Sequence, residues 1–191
     1  AKIYVKARDK ISARDLFFAM LVHSANNAAR ALARSTGLSG AEFVRQMNAK
    51  AQALDMTNTK FVEPTGLSAG NVSTAADYLK LTRILLKDPL FLQATTLKQY
   101  RLSVKRGKKT IKLTTANSNK ILNSPFIVTG SKTGYTDEAG RCLMIRAKNK
   151  EGREVIAIIM GATVAGKQWS DMNSLLAAAL DSNSYNLATA K

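Results

Sequence analysis

Residues 125–147, PFIVTGSKTGYTDEAGRCLMIRA, change character twice. An apolar run, PFIVTG, leads into the polar SKTGYTDEAG, and a second apolar run, RCLMIRA, follows. Short runs rich in Ile, Val and Leu and bounded by Gly read as strands. Lys132-Thr133-Gly134 therefore falls at a strand boundary, with Tyr135, Thr136 and Asp137 continuing a polar edge. A lysine at the start of a strand supplies fixed positive charge, a threonine hydroxyl can hold a carboxylate or carbonyl, and glycine lets a substrate backbone approach closely. Three letters in a lysine-rich chain carry little by themselves, so the rest of the chain has to give them context.

Working outward, RCLMIRAKN and REVIAIIMGA flank KEG as one hairpin, and KQYRLSV and KTIKLTT flank the basic turn RGKK as another. Upstream the period is helical. Ser12 and Asp15 form a capping box before LFFAMLV, Ser39 and Glu42 before FVRQMNAKAQAL, and Thr74 and Asp77 before YLKLTRILL. A further helix, AARALARS, stops at Gly37, and SDMNSLLAAAL returns to helix at the end. Helices, then mainly antiparallel strands, then a helix indicate an α+β fold. The expected organisation is a helical lobe over about 12–95, a sheet portion over about 97–165 and a C-terminal helix over about 168–180.

The chain has 191 residues with 46% apolar content, enough for a real core. No run is long and apolar enough to span a membrane. Twenty-nine Lys and Arg against thirteen Asp and Glu give a net charge of +16, which favours anionic surroundings. The basic residues are dispersed, and the one short cluster, Lys105, Arg106, Lys108 and Lys109 around Gly107, reads as a solvated turn. A nucleic-acid binder would interleave aromatic and basic residues on one face, and no such interleaving occurs. The single His23 rules out multi-His metal sites, and no cofactor is called for. Cys142 is alone and reads as a buried strand cysteine.

Two other places can carry chemistry. In HSANNAARAL, residues 23–32, Ser24 and Asn26 sit between two apolar helices, where they are either ordinary caps or cleft-lining groups. The loop FVEPTGLSAGNVST, residues 61–74, reads first as a well-ordered connector, and Glu63 within it could be a buried acid. A Ser-His-Asp triad is excluded, because His23 abuts Ser24 and cannot easily face it, so a lysine would have to act as base.

Ser24-Ala25-Asn26 followed about a hundred residues later by Lys132-Thr133-Gly134 resembles the S-x-N and K-T-G motifs of penicillin-binding proteins and serine β-lactamases. The longer stretches MNAKAQALDMTNTKFVEPTGLSAGNVSTAADYLKL and SKTGYTDEAGRCLMIRA are similar to the low-molecular-mass penicillin-binding proteins, the D-alanyl-D-alanine carboxypeptidases and DD-endopeptidases of bacterial peptidoglycan. The resemblance runs from about Ile11 to Leu180. It implies a β-lactamase/transpeptidase-like fold, an antiparallel sheet flanked by helices plus a helical lobe. The family's nucleophile, the Ser of S-x-x-K with its Lys as base, has no counterpart here: no Ser has Lys three positions later. The motif is expected upstream of Ala1, in an N-terminal fragment of the same protein that also carries the first helix and two strands. The strands REVIAIIMGA and RCLMIRA are then expected to lack neighbours and expose an apolar edge.

The resemblance implies roles. Ser24 relays a proton beside the missing Lys, Asn26 binds the substrate amide and orients that Lys, and Lys132 contributes positive potential. Thr133 binds the substrate's terminal region, and Gly134 and Tyr135 continue the strand that accepts the peptide. An oxyanion-hole N–H lies near Tyr135. The implied partners are peptidoglycan peptides and β-lactam antibiotics, and the implied location is periplasmic or otherwise extracytoplasmic. Carboxypeptidases of the family carry an Arg shortly after the strand that follows K-T-G, where this chain offers Lys167, and an Asn-Arg-Asn stretch, where it has Asn117-Ser118-Asn119. Both departures favour the endopeptidase over the carboxypeptidase. A non-catalytic peptidoglycan-binding relative is the alternative of another class.

Overall fold

Three helix starts are set by side chains acting on the first turn. The structure, a computed structural model, describes residues 1–180. Helix α1 (Ala13–His23) begins where Ser12 Oγ accepts from the Asp15 N–H, α3 (Gly40–Ala53) where Ser39 accepts from Glu42, and α4 (Ala75–Leu85) where Thr74 accepts from Asp77. These are the three boxes read from the sequence, each satisfying a donor that the helix leaves unpaired and worth about 1 kcal/mol. Helix α2 (Asn26–Ser35) ends before Gly37, whose φ of 79° only glycine adopts freely. Helix α5 (Pro89–Thr96) is not among the helices read from the sequence: Asp88 caps it, and Pro89 occupies its first turn, where a proline is tolerated.

The chain divides into two units, Ala1–Ser118 and a second from Asn119 onward. In the first, strands β1 (Gln99–Arg106) and β2 (Lys109–Ala116) form the expected hairpin around Gly107. Its apolar side joins the helices. Leu102 and Val104 are fully buried with Ile3, Ala19, Ala25 and Ala28. Phe18 of α1 stacks on Tyr100 of β1 at 4.5 Å, and the Tyr100 hydroxyl donates to Asp15 at 2.7 Å, so the α1 capping box is also tied to the hairpin. The basic turn is not wholly solvated: Arg106 grips Asp9 with two bonds of 2.8 and 2.7 Å. That grip, with the Lys6 N–H, holds the Asp9 carboxyl down to about 2.

In the second unit, β3 (Ile127–Thr136), β4 (Gly140–Lys148) and β5 (Glu154–Ala162) form an antiparallel sheet in the order β3-β4-β5. Helix α6 (Lys167–Leu180) covers one face, packing Met172, Leu176 and Leu180 on Leu143, Ile145, Ala147 and Ala157. RCLMIRA, expected to lack neighbours, is the central strand and is paired on both sides. Only β5 carries the expected open apolar edge, and β3 forms the other edge among the described residues. A short 3₁₀ turn, Lys120–Asn123, precedes β3 and adds Ile121 to this core. Cys142 is half-buried rather than buried.

Candidate active site

Ser24 lies at the α1–α2 junction with φ 56° and ψ 37°, in the left-handed region that β-carbon crowding disfavours for every residue but glycine. Its backbone N–H closes α1 onto Ala19, and its side chain is half-buried. Capping accounts for the backbone of Ser24, which ends α1, but not for Asn26. The N-cap of α2 is Ala25, with no side-chain cap bond, and Asn26 is already inside the helix. The helix end uses only the Ser24 backbone, in a conformation where a glycine would be less strained, which fits a role for the hydroxyl.

Asn26 is held by the third candidate segment. Its Nδ2 donates to the Thr65 carbonyl at 3.3 Å, while the next residue, Asn27, pins Ile3 by bonds of 3.1 and 2.8 Å. Thr65 in turn hangs on Glu63. The Glu63 carboxylate accepts from the Thr65 N–H at 2.7 Å, the Thr65 hydroxyl at 2.5 Å, the Leu67 N–H at 2.9 Å and Asn71 Nδ2 at 2.7 Å. Partial burial works against ionisation there, and the donors from Thr65, Ser68 and Leu67 outweigh it, holding the carboxyl down to about 2. The FVEPTG loop is therefore more than a connector: Glu63 is an ionised hub that fixes the carbonyl facing Asn26. Its donors all come from within eight residues, but nothing in their order marks them as converging.

Lys132 stands inside β3, five residues beyond the strand's first residue, not at the strand's start as the apolar boundary suggested. PFIVTG and SKTGYT form one continuous strand because Thr, Lys and Tyr alternate faces along it as readily as Ile and Val do. The half-buried Lys132 donates to the Thr133 carbonyl at 2.7 Å, and burial pushes its ammonium down to about 8. Gly134 is exposed, and a β-carbon built on it would meet only Cys142 Cβ at an ordinary 3.6 Å. The fold itself does not require a glycine there, which leaves the position open to an approaching chain. Tyr135 is 55% exposed, and its hydroxyl donates to Asp137 at 2.6 Å. Ser24 and Asn26 belong to the first unit and Lys132 to Tyr135 to the second. No cluster of His, Cys, Asp or Glu among the described residues suits a metal ion, and no described helix is long and apolar enough to cross a membrane.

A family profile for D-alanyl-D-alanine carboxypeptidase matches residues 1–164. The chain is 39% identical over 143 residues to a D-alanyl-D-alanine endopeptidase of Pseudomonas aeruginosa, covering 74% of this chain and 46% of that protein. It is 33% identical over 171 residues to the endopeptidase of the same name from Escherichia coli, covering 90% of this chain and 54% of that one. The chain thus spans about half the length of the curated relatives it matches. Among solved structures, the Streptomyces K15 DD-transpeptidase superposes with a TM-score of 0.86 at 26% identity, over 92% of this chain and 70% of that one. A D-alanyl-D-alanine carboxypeptidase of Mycobacterium tuberculosis superposes with a TM-score of 0.80 at 29% identity, over 92% and 66% respectively. The chain belongs to the D-alanyl-D-alanine carboxypeptidase family of low-molecular-mass penicillin-binding proteins, with the α+β fold of the DD-transpeptidases.

Proposed function

We propose that the protein carrying this chain is a serine DD-peptidase of peptidoglycan that cleaves D-Ala-containing cross-links through an acyl-enzyme and is inhibited by β-lactams. The observation that carries this reading is the K-T-G triplet on an open edge strand, with a lysine whose ammonium burial pushes down to about 8 and a glycine the fold does not need. Perturbed titration beside a strand able to accept a peptide is what acyl-transfer chemistry on a peptide requires. The nucleophilic Ser and its base Lys come from an S-x-x-K segment of the same protein preceding Ala1. Ser24, held in a strained conformation, relays the proton between that Lys and the leaving amine. Asn26, fixed through Thr65 and Glu63, holds the substrate amide.

Lys132, charged below about pH 8, draws the anionic substrate and stabilises charge in the transition state. Thr133 binds the substrate's terminal region, and the peptide pairs with β3 as an added strand over Gly134 and Tyr135. Endopeptidase action is favoured because Lys167 replaces the carboxypeptidase arginine and is engaged with Asp171 at 2.8 Å. Asn119, in the stretch where an arginine is also missing, caps the 3₁₀ turn by accepting from the Ile121 N–H at 3.0 Å. Substrate and location follow from the chemistry: peptidoglycan lies outside the cytoplasm, and a +16 chain is held near anionic wall polymers.

The test is chromatographic. Purified full-length protein is incubated with cross-linked disaccharide-peptide dimers and with pentapeptide monomers. Conversion of dimers to monomers without loss of terminal D-Ala supports the endopeptidase. Release of D-Ala alone supports the carboxypeptidase, and turnover of neither, with retained binding to peptidoglycan, supports a non-catalytic relative.

A further inference from the structure

We infer that Arg141 is a carboxylate-binding residue of this site and sets its preference for anionic peptides; the inference rests on the DD-peptidase reading above. Arg141 opens β4 directly across from Tyr135, and Thr133 lies two residues back along β3, opposite Leu143. Directly paired residues of an antiparallel ladder share a face, as do residues two apart, so Thr133, Tyr135 and Arg141 all point to one side of the sheet. The guanidinium does not extend into solvent. Its central carbon sits 4.7 Å from the Tyr135 ring centroid, which folds the side chain back across β3, toward the open edge where the peptide would pair. Tyr135 is itself anchored through its hydroxyl to Asp137, so the platform beneath the guanidinium is fixed and Asp137 is occupied at the far end of the ring.

Arg141 forms no ion pair among the described residues; an Nη lies a long 3.4 Å from the Thr163 carbonyl, and the neutral Tyr135 hydroxyl is its other polar neighbour. Two other cations of this unit are engaged with carboxylates: Lys167 with Asp171, and Arg146 with Glu154. A planar, preoriented guanidinium without an ion pair is a receptor for a carboxylate, which it can hold by two parallel bonds. A carboxylate of the substrate on this face, at the exposed Tyr135 end of the added strand, meets Arg141. Two sources fit: the terminal carboxylate of D-Ala and the side-chain carboxylate of meso-diaminopimelate in a cross-link.

The experiment measures kcat/KM of full-length wild type, Arg141→Gln and Arg141→Lys on two matched pairs. One pair is a peptide ending in D-Ala-D-Ala as free acid and as C-terminal amide. The other is a cross-linked dimer with diaminopimelate free and amidated. The expected result is a wild-type preference for the acid of one pair, reduced roughly 10- to 100-fold by Arg141→Gln and partly restored by Arg141→Lys. Which pair responds identifies the source of the carboxylate. The acid-to-amide ratio within one enzyme does not depend on how much of it is folded. An Arg141→Gln enzyme whose ratio matches wild type on both pairs overturns the inference while leaving the peptidase reading intact. Wild type inactive on all four substrates overturns the peptidase reading and the inference with it.

Discussion

Replacing Glu63 by Gln removes a charge without removing volume, and the effect can be worked out from the loop. The carboxylate faces only donors: two from Thr65, the Leu67 N–H and the Asn71 amide. A glutamine must turn an NH₂ toward one of them. The depression of the carboxyl from 4.5 to about 2 corresponds to roughly 3 kcal/mol at about 1.4 kcal/mol per pK unit. Glu63 keeps contact with solvent, and screening leaves ~1.5–2 kcal/mol of that. At about 2–4 °C per kcal/mol, Glu63→Gln is expected to lower the melting temperature by about 3–8 °C at pH 7. The sign with pH follows from the direction of the shift. A carboxyl whose folded pKa is lowered contributes its full stabilisation above the unfolded value of 4.5 and loses it as pH falls toward 2. Urea denaturation of wild type and variant at pH 7 and pH 3 reads this directly. The gap should narrow at pH 3, with the Asp9–Arg106 pair, common to both proteins, cancelling. Equal stability at pH 7, or a gap unchanged at pH 3, would refute the reasoning that the charge holds the loop.

Three further outcomes are expected. Gly140→Ala should cost ~2 kcal/mol or more in denaturant melts, because its φ is +64° and a β-carbon would stand 3.0 Å from the Gly161 carbonyl carbon. Gly134→Ala should leave stability within about 0.5 kcal/mol yet lower peptidase kcat/KM at least ~10-fold, since its β-carbon meets only Cys142 Cβ at an ordinary 3.6 Å and would stand beside the added strand. Lys132, buried down to about 8 from 10.5, must show opposite trends. Between those values the unfolded chain binds more protons, so stability rises with pH, while kcat/KM falls as the ammonium is lost. Parallel pH profiles of unfolding and turnover check the pair.

Much of the fold was legible because it is written locally. A capping box spans four residues, so Ser12, Ser39 and Thr74 declared their helices before any contact was known. The hairpins were legible through alternation and through turns such as Arg106-Gly107-Lys108. What failed depended on partners distant in sequence or on reading one residue two ways. Pro89 serves equally as a break and as a first helical residue, and only the Asp88 cap decides between them. Lys132 was placed at a strand start because the apolar pattern ends there, but pairing with β4 continues the strand through Thr136. The candidate site was legible as motifs, Ser24-x-Asn26 and Lys132-Thr133-Gly134, and not as mechanism. That Glu63 is an ionised hub, that Ser24 is strained and that Arg141 folds over Tyr135 all arise from backbone angles and cross-strand contacts that no short pattern encodes.

The central claim is that these residues serve an acyl-enzyme. It is tested most directly by intact-mass spectrometry of the full-length protein before and after incubation with a penicillin, followed by peptide mapping. The account predicts one stoichiometric adduct on the Ser of an S-x-x-K segment preceding Ala1, formed more slowly when Lys132 is replaced by Ala. No adduct at all, or an adduct on a residue of this chain such as Ser24 or Cys142, would contradict it.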